Sequence, residues 1–255
     1  NALLAYAWDE ESGYFGYTVQ GQDGVHILRT EAGENYNKGV DGVTPLIAGI
    51  CSKEQEKQLL KHLKSPEELW SPVGISTVDM SASYYYDNGY WNGSVWCPYQ
   101  YFLWKAMLDI GEGQFAFDIA HRGLNSWKQE IEFSYNTFEM IQIETERGGW
   151  FHQFSGLSTP ISIWYNAYYK RGTLTTGYDT WIEKKEISED VDHAEIIYST
   201  TGTHTGVLLI VMNSLYHYDV EIDGKKAEFI EREKGVIEIT LNRKEGVIII
   251  YRDEK

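Results

Sequence analysis

The sequence predicts a mainly α chain with an all-β tail, and the change falls near residue 175. Helical signals recur before that point, whereas β-branched runs follow one another after it. Gly-containing turns such as Asp223-Gly224-Lys225 and Lys234-Gly235 separate the later runs, as expected for strands joined by tight turns. We therefore expect one domain over residues 1–175 and a second, a small β-sheet or sandwich, over residues 176–255.

Six helices are predicted in the first domain. The clearest begins at Ser52, which forms a capping box with Gln55 and is followed by leucines at helical spacing. Another has Pro160 in its first turn and Gly172 beyond its end. The predicted helices cover residues 1–8, 44–50, 52–64, 98–110, 113–131 and 160–170, and a hairpin is expected over 13–19 and 25–30.

Five strands are predicted in the tail, and most of their charged residues fall on alternate positions, as on a solvated sheet face. The predicted strands cover residues 206–213, 217–222, 227–233, 236–242 and 246–252. Two long loops remain, over 65–90 and 132–159. Both carry aromatic and carboxylate side chains, and long loops in a compact domain are usually functional.

Charge and motif content exclude several classes of protein. With 38 acidic and 22 basic residues the formal net charge is −16, which opposes binding to nucleic acid or to an anionic membrane. No apolar run is long enough to span a bilayer, and no signal peptide is seen, so the compartment stays open. We find no phosphate-binding Gly-rich loop and no metal-ligand spacing, and we therefore expect no cofactor and no metal.

Aromatic residues are unusually dense, with 19 Tyr, 9 Trp and 9 Phe making 15% of the chain. About half of residues 84–104 are aromatic. A sugar presents apolar C–H faces and a rim of hydroxyls, which rings and amide or carboxylate groups bind respectively. Trp91, Trp96 and Gln100 are of the right types, although rings here could instead fill contacts between helices, as we expect for Phe102 and Trp104.

A second candidate segment covers residues 138–158. Glu139 lies among apolar neighbours, an environment that suits acid–base work. Taken alone it is one acidic residue among 38, and His152 alone is more typical of a structural hydrogen-bonding residue than of a base. Trp150 adds an aromatic ring to the same segment.

Five motifs, in their order along the chain, resemble the C-terminal half of glycoside hydrolase family 63 and its relatives, the (α/α)6-barrel exo-α-glycosidases. The most specific is Tyr90–Trp96, which is similar to that group's Y-W-R-G-x-[IV]-W. The other four are Trp8–Phe15, Thr44–Ile50, Trp70–Ile75 and the pair Phe138-Glu139 with Glu144-Thr145. The resemblance covers roughly residues 6–170.

The resemblance implies a partial (α/α)6 toroid ahead of the β tail and an inverting exo-α-glycosidase that acts on a terminal gluco- or manno-configured α-glycoside. Trehalase-like and debranching-like specificities also remain open. By resemblance Glu139 is the general base, and the substrate is an oligosaccharide or small glycoside. The residues expected to line the glycone pocket are Tyr90, Trp91, Trp96, Gln100 and Trp150.

Two departures from the family pattern leave an alternative function open. Asn92 replaces the motif's Arg, and Met140-Ile141 replaces an Asn-Tyr pair beside the expected base. A carbohydrate-binding or scaffold protein that has lost catalysis is therefore the alternative.

The position of the general acid is also left open. The family's acid is an Asp in a preceding motif that no residue here matches, and Asp41, Asp79 and Asp87 are weak substitutes. The sequence thus looks like a fragment, to be completed by the missing N-terminal half of the barrel or by another copy of the chain.

Overall fold

A computed structural model describes residues 2–87 and 89–253. Over these residues the chain forms six α-helices, and each overlaps a segment that the sequence predicts as helix, although the second begins four residues before its predicted start at residue 44. The capping box at the start of the third is confirmed, since the Ser52 side chain accepts from the Gln55 amide and the Gln55 side chain accepts from the Ser52 amide. The helices are α1 (Ala2–Tyr6), α2 (Val40–Ile47), α3 (Lys53–Lys64), α4 (Cys97–Asp109), α5 (Gly113–Ser134) and α6 (Thr159–Tyr169).

The prediction of a mainly α chain is wrong, and so is the partial (α/α)6 toroid that was expected with it. The structure is about 29% helix and about 31% strand. The segments predicted as long loops each contain a two-stranded antiparallel hairpin. Strands of two to five residues show too little alternation of apolar and polar residues to be recognised from sequence.

Strands in the first part of the chain pair as small two-stranded sheets. The expected hairpin over 13–19 and 25–30 divides, because Tyr14 and Phe15 pair with an earlier strand while Thr18–Gly21 pairs with Gly24–Ile27. The strands are β1 (Trp8–Asp9), β2 (Tyr14–Phe15), β3 (Thr18–Gly21), β4 (Gly24–Ile27), β5 (Trp70–Ser71), β6 (Gly74–Ile75), β7 (Phe138–Ile141) and β8 (Gly148–His152).

The tail contains two antiparallel sheets, in the orders β10-β11-β17-β13-β14 and β15-β16-β12-β9. Their strands are β9 (Leu174–Thr176), β10 (Thr180–Ile187), β11 (His193–Thr200), β12 (Gly206–Val211), β13 (Tyr218–Ile222), β14 (Lys225–Ala227), β15 (Ile230–Glu231), β16 (Val236–Leu241) and β17 (Glu245–Arg252). One buried apolar cluster takes side chains from both sheets, among them Ile196 and Ile248 of the first and Leu208 and Ile239 of the second. The burial of these side chains supplies the main stabilisation of this part of the chain.

The chain divides into two compact units, Asn1–Phe102 with Arg122–Pro160 and Leu103–His121 with Ile161–Lys255. These units interleave along the sequence, whereas the domain prediction places one boundary after residue 175. All the predicted site residues lie in the first unit. Among the described residues, no helix combines the length and apolar character needed to cross a membrane.

Candidate active site

The β7–β8 hairpin positions Glu139. Phe138 pairs with His152 and Met140 pairs with Gly149, so two residues of β8 lie opposite Glu139 alone. This is a β-bulge, a feature that redirects side chains and often occurs beside active sites. The bulge places Trp150 in the left-handed region, with φ of 63°, which is unfavourable for a bulky side chain. The surrounding structure therefore holds Trp150 in a strained backbone conformation opposite Glu139.

Two contacts fix this hairpin to the rest of the unit. Glu130 of α5 accepts from Arg147 Nε at 2.6 Å, from Arg147 Nη2 at 2.8 Å and from the Gly148 amide at 3.0 Å. The Arg147 hydrogen bond lowers the pKa of Glu130 to about 2, so the pair is ionised at neutral pH. Gly148 is required by close packing, because a Cβ there would lie 2.1 Å from the Phe138 ring. Glu130 and Arg147 lie in separate elements and form no motif, so their pairing could not be recognised from the sequence.

The segment that carries Tyr90 and Trp91 is fixed to the same hairpin. The amide of Val95 donates to Ile141 O at 2.9 Å, and the amide of Ile141 donates to Val95 O at 3.0 Å. Earlier in the segment, Gly93 packs so tightly that a Cβ would lie 1.8 Å from Tyr86 O. The tight turn and the two hydrogen bonds together bring Tyr90 beside Glu139.

Glu139 is a buried carboxylate, 8% exposed, with two differently placed oxygens. Oε1 accepts a hydrogen bond from the hydroxyl of Tyr90. Among the described residues Oε2 has no hydrogen-bond partner although it is buried. A buried carboxylate oxygen without a partner is costly, and such groups are typical of functional sites. The hydrogen bond to Glu139 raises the pKa of Tyr90, so the phenol remains a donor at neutral pH.

Three tryptophan rings surround Tyr90, the hydrogen-bond partner of this carboxylate. Tyr90 makes edge contacts with Trp96 at 4.9 Å, with Trp150 at 5.0 Å and with Trp91 at 5.7 Å between ring centroids. Trp91 is stacked on Trp96 at 3.8 Å. Trp91 and Trp150 are 51% and 55% exposed, which leaves ring surface available to a ligand.

Trp96 and Gln100 have structural roles in this arrangement. Trp96 is 1% exposed, and its Nε1 donates to Tyr90 O at 2.8 Å. Gln100 is 2% exposed; its Oε1 accepts from the Ile75 amide at 2.7 Å and its Nε2 donates to Ile75 O at 2.8 Å. Their predicted contact with a sugar stays a prediction, and the geometry favours support of the site instead. The structure thus brings together Glu139, Tyr90, Trp91, Trp96 and Trp150. Gln100 is instead hydrogen-bonded to the backbone of Ile75.

The carboxylates considered as substitutes for the general acid lie in different surroundings. Asp79 is fully buried and accepts from Tyr14 and from both the amide and hydroxyl of Ser81. Asp41 accepts from the hydroxyls of Tyr17 and Tyr99. Asp87 is exposed. Within the described residues, no group of three or more His, Cys, Asp or Glu side chains is arranged to hold a metal ion.

Comparison with known proteins gives matches to enzymes that act on glycosides. The family model of the mannosylglycerate hydrolase MGH1-like glycoside hydrolase domain matches residues 1–139. The chain is 28% identical over 105 residues to a probable mannosyl-oligosaccharide glucosidase of Schizosaccharomyces pombe, which covers 39% of this chain and 12% of that protein.

Two solved structures also resemble the chain, each with a lower sequence identity than the glucosidase. The GH63 mannosylglycerate hydrolase of Thermus thermophilus, in complex with glucose, has 21% identity and a TM-score of 0.49, covering 63% of this chain and 36% of that one. The neutral trehalase of Saccharomyces cerevisiae has 19% identity and a TM-score of 0.46, covering 64% of this chain and 28% of that one. The chain spans well under two thirds of the length of any of these relatives.

Proposed function

The chain belongs to the mannosylglycerate hydrolase MGH1-like glycoside hydrolase family, and from that premise we propose that it carries the general base of an inverting exo-α-glycosidase. Glu139 is that base. Its carboxylate removes a proton from water as the water oxygen attacks the anomeric carbon, and the bond to the leaving group breaks on the opposite face. The product sugar has the inverted, β configuration.

The observation that supports this role most strongly is the asymmetry of the Glu139 carboxylate. Tyr90 donates to Oε1 and fixes the orientation of the group, while the buried Oε2 has no partner among the described residues. Because Oε1 already accepts from Tyr90, Oε2 is the oxygen left to accept a proton from water in the role of base. The exposed rings of Trp91 and Trp150, which both contact Tyr90, are suited to the apolar face of a sugar.

We propose a gluco- or manno-configured terminal sugar as the glycone, in agreement with the glucosidase and mannosylglycerate hydrolase activities named for the relatives. The general acid is proposed to lie outside this chain, either on a further segment or on a second copy, because no Asp here matches the family's acid motif. The substrate is thus an oligosaccharide or small glycoside.

α-Glycosyl fluorides test the base alone, because fluoride leaves without needing protonation by a general acid. We would measure fluoride release from α-glucosyl and α-mannosyl fluoride, with the anomer of the first product read by proton NMR. Glu139→Gln should reduce turnover by about a hundredfold or more, while binding of the methyl α-glycosides, measured by calorimetry, stays within about threefold. Glu144→Gln is the matched control, because Glu144 is exposed in the turn of the same hairpin.

Three results are decisive in this experiment. The proposal is supported if the unsubstituted chain and Glu144→Gln both release the β sugar and Glu139→Gln loses this turnover. Sugar binding without turnover in the unsubstituted chain supports the alternative, a carbohydrate-binding protein without catalysis, which the exposed Asn92 in place of the family's Arg favours. Unchanged turnover in Glu139→Gln removes Glu139 from the role of base.

A further inference from the structure

A cavity lies in the same compact unit, and Trp91, which contacts Tyr90 beside Glu139, is one of its lining residues. Its volume is about 260 Å³, which is slightly below the range of pockets for drug-sized ligands and suits one small ring. Aromatic rings form much of its wall, and one carboxylate lies among them. These residues are Tyr17, Tyr36, Tyr84, Trp91, Tyr99 and Asp41.

Two helix starts bring the polar groups of this cavity together. Asp41 lies in the first turn of α2, where a negative charge is stabilised by the helix dipole. Its Oδ2 accepts from the Tyr17 hydroxyl at 2.6 Å, and its Oδ1 accepts from the Tyr99 hydroxyl, in the first turn of α4, at 3.2 Å. Burial and the proximity of Asp41 raise the pKa of both phenols, so they stay protonated at neutral pH.

Lys38 also lines the cavity, and its charge is already neutralised by its neighbours. Lys38 Nζ lies 3.2 Å from Glu34 Oε1 and 3.5 Å from Asp79 Oδ2, and it also donates to Ser81 Oγ. The lysine ammonium is thus shared between two carboxylates. With Asp41 added, the groups that face or support the cavity carry net negative charge, which disfavours an anionic ligand.

Trp91 joins this cavity to the Glu139 site. One face of its ring is stacked on Trp96, and its edge meets Tyr90, which donates to Glu139. Trp91 also contacts Tyr99 of the cavity, at 6.1 Å between centroids. Trp91 is therefore shared by the Glu139 site and the cavity.

We propose that this cavity binds the leaving-group side of the substrate, and that it selects a neutral polyhydroxylated group, such as a second sugar ring, against a group that bears a carboxylate. The inference rests on the proposed function, because the Glu139 site must hold the glycone. Sugar hydroxyls donate to the free lone pairs of Asp41. The rings of Tyr36 and Trp91 take the apolar face of the sugar.

The test compares paired ligands that share a glycone and differ in the charge of the leaving group. The probes are α-1,2-mannobiose against α-mannosylglycerate, and kojibiose against α-glucosylglycerate, with the methyl α-glycosides as glycone-only references. Dissociation constants are measured by calorimetry on the Glu139→Gln background, so that no probe is consumed, and at low ionic strength, where charge effects at exposed sites are least screened. We expect the neutral member of a pair to bind about tenfold more tightly than the anionic one.

Charge variants of Asp41 test whether the preference for the neutral ligand depends on this carboxylate or on the overall charge of the protein. Asp41→Asn should reduce the preference for the neutral ligand to about threefold or less. Asp41→Lys should reverse this preference, because the carboxylate of the leaving group then lies beside a cation. Tyr36→Ala should weaken the disaccharide about threefold to tenfold and leave the methyl glycosides unchanged. Asp23→Lys is the control, because Asp23 lies in the same unit and its side chain is 82% exposed.

Failure of the inference can be distinguished from failure of the proposed function. If methyl glycosides bind and disaccharides bind no better, the cavity is not a leaving-group site, although the glycone site stands. If Asp41→Lys leaves the preference unaltered, or weakens the methyl glycosides as much as the disaccharides, the inference is overturned. If no sugar binds, the proposed function fails as well.

Discussion

The hydroxyl of Tyr90 donates to Oε1 of Glu139, which follows it by 49 residues in the chain. Tyr90 belongs to the segment before α4, whereas Glu139 lies in a hairpin after α5. The bulge of that hairpin and the hydrogen bonds between Val95 and Ile141 make the contact possible. The carboxylate proposed as the base is thus oriented by a residue from a separate motif.

Replacement of Tyr90 by Phe should destabilise the fold and slow the reaction. The buried Glu139 then lacks this donor, which lowers the free energy of unfolding. Urea unfolding measures the stability loss, and fluoride release measures the rate. Tyr86→Phe is the control, since that phenol is exposed in the same segment. Equal stability of the two variants would show that the hydrogen bond contributes nothing.

The Glu130–Arg147 pair should make stability depend on pH in acid. The pKa of Glu130 is lowered in the fold from 4.5 to about 2, so its contribution is complete above 4.5 and is lost as the pH falls toward 2. Glu130→Gln should therefore be less stable than the unsubstituted chain by about 1–3 kcal/mol near neutral pH, and this gap should narrow between pH 4.5 and 2.

Urea unfolding at a series of pH values measures that gap. Glu132→Gln is the matched control, because Glu132 lies in the same helix, is 66% exposed and pairs with the surface lysine Lys128. A gap that stays constant from neutral pH to pH 2 would contradict an ionised Glu130–Arg147 pair in the fold.

Gly148→Ala should displace the hairpin that carries Glu139. A Cβ at this position would lie 2.1 Å from the Phe138 ring, and overpacking of this kind typically costs about 1–3 kcal/mol. Both sugar binding and stability should decrease, because the displaced hairpin carries Glu139 and Trp150. Gly156→Ala provides the control, since its Cβ would meet nothing nearer than 3.8 Å. Equal stability and equal sugar binding of the two variants would contradict a close contact between residue 148 and Phe138.

Trp150→Gly should separate binding from stability. Glycine tolerates the left-handed conformation that Trp150 adopts at φ of 63°, so the variant should be as stable as the unsubstituted chain or up to about 1 kcal/mol more stable. Loss of the ring should weaken binding of the methyl α-glycosides about threefold to tenfold. Phe151→Ala is the control, because Phe151 is the exposed neighbour in the same strand. Full binding by Trp150→Gly would exclude the ring from the site.

Sequence analysis predicted the helices because their signals are local. The capping box at Ser52 and the leucine spacing after it lie within one segment, and α3 begins where they indicate. The resemblance to glycoside hydrolase family 63 was confirmed by the family comparison, since short motifs in a fixed order survive in the sequence. The fold class was wrong because β7, for example, is buried at all four positions and shows no alternation.

Parts of the candidate site could not be predicted because they depend on tertiary contacts. Nothing in the sequence places Glu130 beside Arg147. Nor does the sequence show that the Gln100 side chain is hydrogen-bonded to the backbone of Ile75. The cavity around Asp41 joins residues from two helix starts and three connecting segments. Asp41 lies in the first turn of α2, but the helix predicted there begins only at residue 44, so this placement could not be predicted either.

Rescue of Glu139→Ala by azide tests the role of Glu139 as general base most directly. With an α-glycosyl fluoride, azide can attack the anomeric carbon in the space left by the side chain, so that a C–N bond forms as fluoride leaves. We expect little fluoride release from this variant in water, restored release with azide, and β-glycosyl azide as the product identified by proton NMR. Failure of azide to restore release, or formation of the α-glycosyl azide, would contradict Glu139 as the base of an inverting reaction. Release of the α sugar from the same fluoride by the unsubstituted chain would contradict it too, because loss of a retaining nucleophile also yields the β-glycosyl azide.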